Sequence, residues 1–168
     1  MELQTERLIL IPASVGFVQA VLDRDCQKAG ALHQITVPPT WPGHREALEG
    51  LPIHLRALQA NPGDGPWRIW LVILRDDRIA IGAVTLKGPP RNGEVELGWG
   101  VLPSMRRMGF ATEAVAAMLV RLEQLPEIRR ITATIGDDNP ASLRVATRFG
   151  FKKTSELRRE LPVYERVK

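Results

Sequence analysis

Between Glu94 and Gln124 the chain passes from a strand pattern through a short basic loop into a helix pattern, and no other stretch limits its fold as tightly. Glu94-Val95-Glu96-Leu97-Gly98-Trp99-Gly100-Val101 reads as a strand, and Leu102 to Gly109, with Pro103, Arg106 and Arg107, as a loop. Beyond it, Phe110, Ala114, Val115, Met118, Leu119 and Leu122 recur at the spacing of one buried helical stripe, and Pro126 lies just past the end as a stop. A helix start leaves backbone N–H groups without partners and carries partial positive charge. Arg106 and Arg107 stand just ahead of that start, and Gly109 lets a ligand approach the backbone. The stretch describes a socket for an anion such as a pyrophosphate. Its ordinary alternative is a solvated basic loop.

Two other phosphate-binding patterns fail on their own terms. Gly98-x-Gly100 begins like a dinucleotide fingerprint, but Pro103 stands where the third glycine is needed. No Gly-Lys-Ser/Thr occurs, which removes a nucleoside-triphosphatase loop.

The order Arg106-x-x-Gly109-x-Ala111 after a Glu-Leu-Gly-Trp strand, with Thr112-Glu113-Ala114 opening the helix, resembles the acetyl-CoA-binding motif of the GNAT superfamily of N-acetyltransferases. Asn139-x-x-Ser142-x-x-Val145-x-x-Arg148-x-Gly150-Phe151 resembles the second acetyl-CoA motif of its ribosomal-protein serine/alanine N-acetyltransferase branch. The opening Thr5-Glu6-Arg7-Leu8-Ile9-Leu10 is similar to that branch's first strand. The resemblance implies acetyl-CoA as co-substrate, held by Trp99, Gly100 and Val101 and by backbone amides of Arg106, Arg107, Met108, Gly109, Phe110, Ala111 and Thr112. It implies that Asn139 touches the pantetheine arm, that Ser142 lies near the thioester sulfur as hydrogen-bond donor or relay, and that Glu96 is the base, directly or through water. It also implies an oxyanion donor in the N–H near Val101, if that strand separates from its neighbour. Many members carry a tyrosine acid four positions after Ser142. Here that position is Ala146, and Tyr164, the only tyrosine, is too far along to replace it.

The residues by themselves leave alternatives open. Alternation places Glu94, Glu96, Gly98 and Gly100 on one strand face, where the carboxylates serve equally as solvated charges or as site groups. Asn139 followed by Pro140 is an ordinary helix start. His33, His44 and His54 lack metal-ligand spacing, so no metal is expected. His44 with Trp41-Pro42 is either a border of the acceptor pocket or plain loop packing.

The 168 residues, 44% of them hydrophobic, suffice for one domain, taken as 1–168. A net charge of +4 with scattered Arg and Lys argues against a nucleic-acid face. Cys26, the only cysteine, excludes an intrachain disulfide, and no apolar run is long enough to span a membrane, so a cytoplasmic protein with no membrane partner is expected. Leu8–Ile11 reads as a first strand. Ser14 caps a helix to about Asp25, and 45–60 is helical but interrupted by Gly50 and Pro52, possible as two helices with Leu48, Leu51, Leu55 and Leu58 inward. Runs 67–74 and 78–86 form a hairpin, and 129–135 is a half-buried strand. A helix from Asp137 ends at Gly150, and 156–168 closes with one or two strands. The expected fold is α/β (α+β), a mixed, mostly antiparallel sheet of about six or seven strands with helices on both faces. The expected activity is direct acetyl transfer from acetyl-CoA to a primary amine, a protein N-terminus or a small molecule, by a monomer or homodimer. The rival is a non-catalytic acyl-CoA sensor.

Overall fold

The computed structural model describes residues 1–168, the side chain of Arg45 apart. Strands β1 (Leu3–Gln4) and β2 (Leu8–Pro12) open the chain, followed by helices α1 (Val15–Leu22), α2 (Cys26–His33) and α3 (Arg45–Ala60). Then come β3 (Ile69–Leu74), β4 (Ala80–Leu86), β5 (Glu94–Val101), α4 (Phe110–Glu123), β6 (Arg130–Thr134), α5 (Pro140–Arg148), β7 (Lys152–Arg158) and β8 (Leu161–Val167). All eight strands join one sheet in the order β1-β2-β3-β4-β5-β6-β8-β7. Every neighbouring pair is antiparallel except β5 and β6, which are parallel and therefore need the α4 crossover between them.

The sheet is covered on both faces, which explains the unbroken apolar run of β3. Trp70 and Val72 face one way, into a core shared with α4 and α5 through Val115, Met118, Leu119 and Ala146. Ile69, Leu71 and Ile73 face the other, into a core shared with α1, α2 and α3 through Phe17, Ala29, Leu51 and Leu58. All six apolar positions expected of α4 are buried.

Three expectations need correction. The sheet has eight strands, not six or seven, because Leu3–Gln4 adds a short edge and the closing segment starts at Lys152 and folds into two strands. Its hairpin turns through Arg159 and Glu160, both at positive φ, a two-residue turn whose twist suits a hairpin even without glycine. Segment 45–60 is one helix through Pro52. Proline removes the N–H that would bond the Leu48 carbonyl, and the helix carries this loss at a turn where Leu48 is exposed. For the same reason Leu48 is not inward: the helix meets the core only from Leu51 onward. The helix expected from Ser14 is α1, capped by Ser14 as expected, and a further helix that the sequence reading did not name follows it, since Asp25 starts α2 by accepting from the Lys28 N–H at 2.9 Å. No helix among the described residues is long and apolar enough to cross a membrane.

Candidate active site

The parallel pair β5–β6 is in register at Glu94↔Arg130, Val95↔Ile131 and Glu96↔Thr132, and there the pairing ends although β5 runs on to Val101. The direction of the freed edge follows from two bonds. The Glu96 carbonyl accepts from Lys87 N–H (3.1 Å), and Leu102 N–H donates to the Ile81 carbonyl (2.7 Å). Even-numbered residues of β5 thus turn their backbone groups toward β4. Edges alternate along a strand, so those of Trp99 and Val101 turn toward the side β6 has left. The separation required for a backbone oxyanion donor at Val101 is present. Trp99 is half-buried, with its ring tilted against Phe151 at 6.4 Å between centroids.

From Val101 the chain enters a 3-10 turn, Pro103–Met105, whose carbonyl at Pro103 accepts from Arg106 N–H at 3.3 Å. Arg107 (φ 64°) and Gly109 (φ 83°) then take the left-handed conformation. Alternating backbone hands of this kind turn successive N–H groups into one concavity. Gly109 caps α4 with no side-chain acceptor. Among the described residues, the amides of Arg107, Met108, Gly109, Phe110, Ala111 and Thr112 find no protein acceptor. The open run starts at Arg107, because the Arg106 amide is already used in the turn.

One residue holding this loop escaped the sequence reading. Arg7 donates through Nη1 to the Met108 carbonyl (3.0 Å) and lies over the Phe110 ring at 4.4 Å. Its Nε and backbone N–H also donate to Glu113 at 2.7 and 2.9 Å, and Thr5 Oγ1 donates to the same carboxylate. Burial alone would push Glu113 up, but the bonds from Thr5 and Arg7 hold it below the usual glutamate value. Beside the loop opens a cavity of about 430 Å³ lined by Arg7, Gly109, Thr112, Ala116, Arg148 and Phe149 among others. Two arginines and an uncapped helix start suit it to phosphate. The only sequence signal for Arg7 was the Thr5-Glu6-Arg7 opening, which carried no stated role.

The second expected motif is built differently. Asn139 Oδ1 accepts from Ser142 N–H at 3.1 Å and Pro140 fills the first helical position, so this helix start is capped from within. Ser142 is half-buried, while Ala146, at the position of the family's tyrosine, is sealed in the core. Tyr164 pairs with Ala133 in the sheet.

On the even face of β5 the carboxylates are half-buried and engaged by cations. Arg158 donates to Glu94 (2.5 Å) and Glu96 (2.9 Å), and Arg130 binds Glu94, Glu156 and Glu165 at 2.5–2.7 Å. Thr134 Oγ1 donates to Glu96 at 3.1 Å, with Lys87 Nζ 3.4 Å away. Burial raises Glu96, but the Lys87 charge and the bonds from Arg158 and Thr134 outweigh it and hold the carboxyl below its usual range. Arg158, on the β7–β8 hairpin, therefore reaches across to β5 and ties that hairpin over the face. Farther along the face, His44 lies over Gly100. No group of three or more His, Cys, Asp or Glu placed to hold a metal occurs among the described residues.

Comparison with known proteins fits this geometry. Residues 7–152 match the family model described as an acetyltransferase (GNAT) domain. The uncharacterized N-acetyltransferase YjdG of Bacillus subtilis (strain 168) is 27% identical over 150 residues, 89% of this chain and 88% of that protein. An acetyltransferase of Agrobacterium tumefaciens str. C58 has a similar solved structure, with TM-score 0.66, 24% identity, and coverage of 100% of this chain and 95% of that one. RimL, a ribosomal L7/L12 alpha-N-protein acetyltransferase solved with coenzyme A, superposes with TM-score 0.67 at 19% identity over 99% of this chain and 98% of that one.

Proposed function

The chain belongs to the GNAT acetyltransferase family, and we propose that it moves the acetyl group of acetyl-CoA directly to a primary amine bound on the even face of β5. The observation that carries this reading is the pairing of a sheet that parts after Glu96 with an uncapped α4 start directly downstream. The residues fit such a co-substrate: the open amides of 107–112 would hold its diphosphate, and Arg106, Arg107, Arg7 and Arg148 would supply countercharge. Acetyl-CoA contributes the thioester, whose carbonyl carbon is the electrophile. The parted edge of β5 offers the N–H of Val101 to the oxygen that gains charge during transfer. Ser142 donates toward the leaving sulfur.

The acceptor class follows from the base. Glu96 is tied to Arg158 and Thr134 and is a weak base, acting through water. An α-amine with pKa near 8 is roughly 10% neutral at pH 7, against about 0.04% for a lysine side chain. Weak assistance suffices for the first and serves the second poorly, so the favoured acceptor is a protein N-terminus or a small amine of low pKa. A chain with a single cysteine using acetyl-CoA suits the cytoplasm.

The test is an amine panel that includes peptides beginning with Ser, Ala and Met, read by free CoA release, beside thermal unfolding with and without acetyl-CoA. Saturating acetyl-CoA is expected to raise Tm by mass action and an α-amine to be the best acceptor. No Tm shift, or no release with any amine, refutes the reading.

A further inference from the structure

We propose that the imidazole of His44 is a catalytic residue of the transfer, donating a hydrogen bond from Nε2–H to the acetyl carbonyl oxygen at Gly100. The inference rests on acetyl transfer at the parted edge of β5.

Two contacts fix the ring there, and the segment before it is anchored as well. His44 is the N-cap of α3, and its Nδ1 accepts from the Ala47 N–H at 3.2 Å. That bond requires a lone pair on Nδ1, so in the neutral ring the proton sits on Nε2. Nε2 is the end that meets the strand: a Cβ on Gly100 would lie 2.2 Å from it and 2.4 Å from Cδ2. The segment ahead of the ring is anchored just as closely. Trp41 Nε1 donates to the Gly82 carbonyl at 2.9 Å, and its ring packs edge-on against Phe17. Gly43, at φ +93°, leaves no space for a side chain, since a Cβ would fall 2.8 Å from Leu102 Cα. Arg106 Nη2 approaches the Gly43 carbonyl at 3.5 Å. Gly82 completes the crossing, for a Cβ on it would fall 2.2 Å from the Gly100 carbonyl oxygen. Gly43 and Gly100 thus let the 41–44 segment press onto β5, Gly82 lets β4 close up beside it, and one imidazole edge is delivered to the strand that exposes Val101.

The ring is held neutral. Burial lowers its pKa, Arg106 lowers it further, and Glu46 opposes them without prevailing. A helix start also disfavours positive charge at its cap. A neutral imidazole with its proton on Nε2 is a donor and not a base. To act as a base at Nε2 it would have to move that proton to Nδ1 and leave the Ala47 N–H unpaired. Glu96 stands four residues back along β5, roughly 13 Å by strand rise, so it does not compete for the same atom. During transfer the amine lone pair forms the C–N bond while the carbonyl π pair shifts to oxygen, where Nε2–H and Val101 N–H stabilise it. The pair returns as the C–S bond breaks and its electrons leave with sulfur. The surplus amine proton passes along a chain of waters toward Glu96 and solvent.

His44→Asn separates this role from a structural one, because asparagine keeps the N-cap and loses the Nε2–H. The expected result is a fall of about 100-fold in kcat with the best amine of the panel, the usual cost of one oxyanion donor, with acetyl-CoA affinity and Tm close to wild type. Long-range 1H–15N correlation of the wild-type imidazole is expected to show a neutral ring protonated on Nε2 at pH 7, with that nitrogen shifting when acetyl-CoA is added. Turnover within 2-fold of wild type in the Asn variant, or a ring that is cationic or protonated on Nδ1, overturns the role of His44 while leaving acetyl transfer in place. A wild type that fails to bind acetyl-CoA overturns both.

Discussion

The starts of α4 and α5 look alike in sequence and are opposites in structure. Both follow a strand, and both resemble acetyl-CoA motifs. At α5 the chain answers its own demand: Asn139 takes the Ser142 N–H and Pro140 has none to offer. At α4 it leaves that demand open: Gly109 brings no acceptor, and six consecutive amides wait for an anion from outside. A capped start is chiefly a piece of architecture. An uncapped one held rigid by Arg7 and Glu113 is a binding site prepared before its ligand arrives, which reduces the ordering cost of binding.

The contrast can be broken most sharply at Gly109. Gly109→Val puts a branched side chain at φ +83° among the open amides, and acetyl-CoA affinity by calorimetry is expected to fall by about two orders of magnitude. A variant that still binds would show that the amides are not the grip. Arg7→Ala removes the brace, and about a 10-fold loss is expected in the same measurement, the order of one charge-assisted hydrogen bond. Asn139→Ala should reverse the pattern, costing about 1 kcal/mol in urea unfolding while acetyl-CoA affinity stays within 2- to 3-fold. A large affinity loss there would make α5 a binding element as well.

The smallest effect concerns pH. Because the Glu113 carboxyl is held below its ordinary value of 4.5, its contribution is full above that value and is lost as pH falls through the lower folded one. Wild type should therefore lose stability between pH 4.5 and more acid conditions faster than Glu113→Gln, as judged by Tm against pH. Parallel curves would remove Glu113 as the anchor of the open start.

What the sequence revealed was local. The α4 stripe was legible because its six apolar positions repeat at the helical period, and the β5 alternation was legible at a period of two. The reach of Glu113 to Thr5 and Arg7 was not, since those partners are more than a hundred residues away along the chain. The network that engages Glu94 and Glu96 was hidden likewise, because Arg130 and Arg158 come from β6 and β7. Whether α3 breaks was left open for a physical reason: Pro52 signals a break locally, and whether the turn around it is exposed or buried is a tertiary property. Of the candidate site, the Arg106–Thr112 loop was visible as a motif. The placement of His44 over Gly100 depended on a close crossing of backbones that no one-dimensional pattern records.

That crossing has a consequence for how the protein can vary. Gly43, Gly82 and Gly100 interlock so closely that a methyl group on any one of them would strike the backbone or ring of its neighbour. Divergence toward new acceptors is therefore channelled to the rim, where Leu48 and Ile53 of α3 stand in solvent and the β7–β8 turn lies beyond the ion pairs of Arg130 and Arg158. The interior of the crossing stays fixed while its outskirts are free to change.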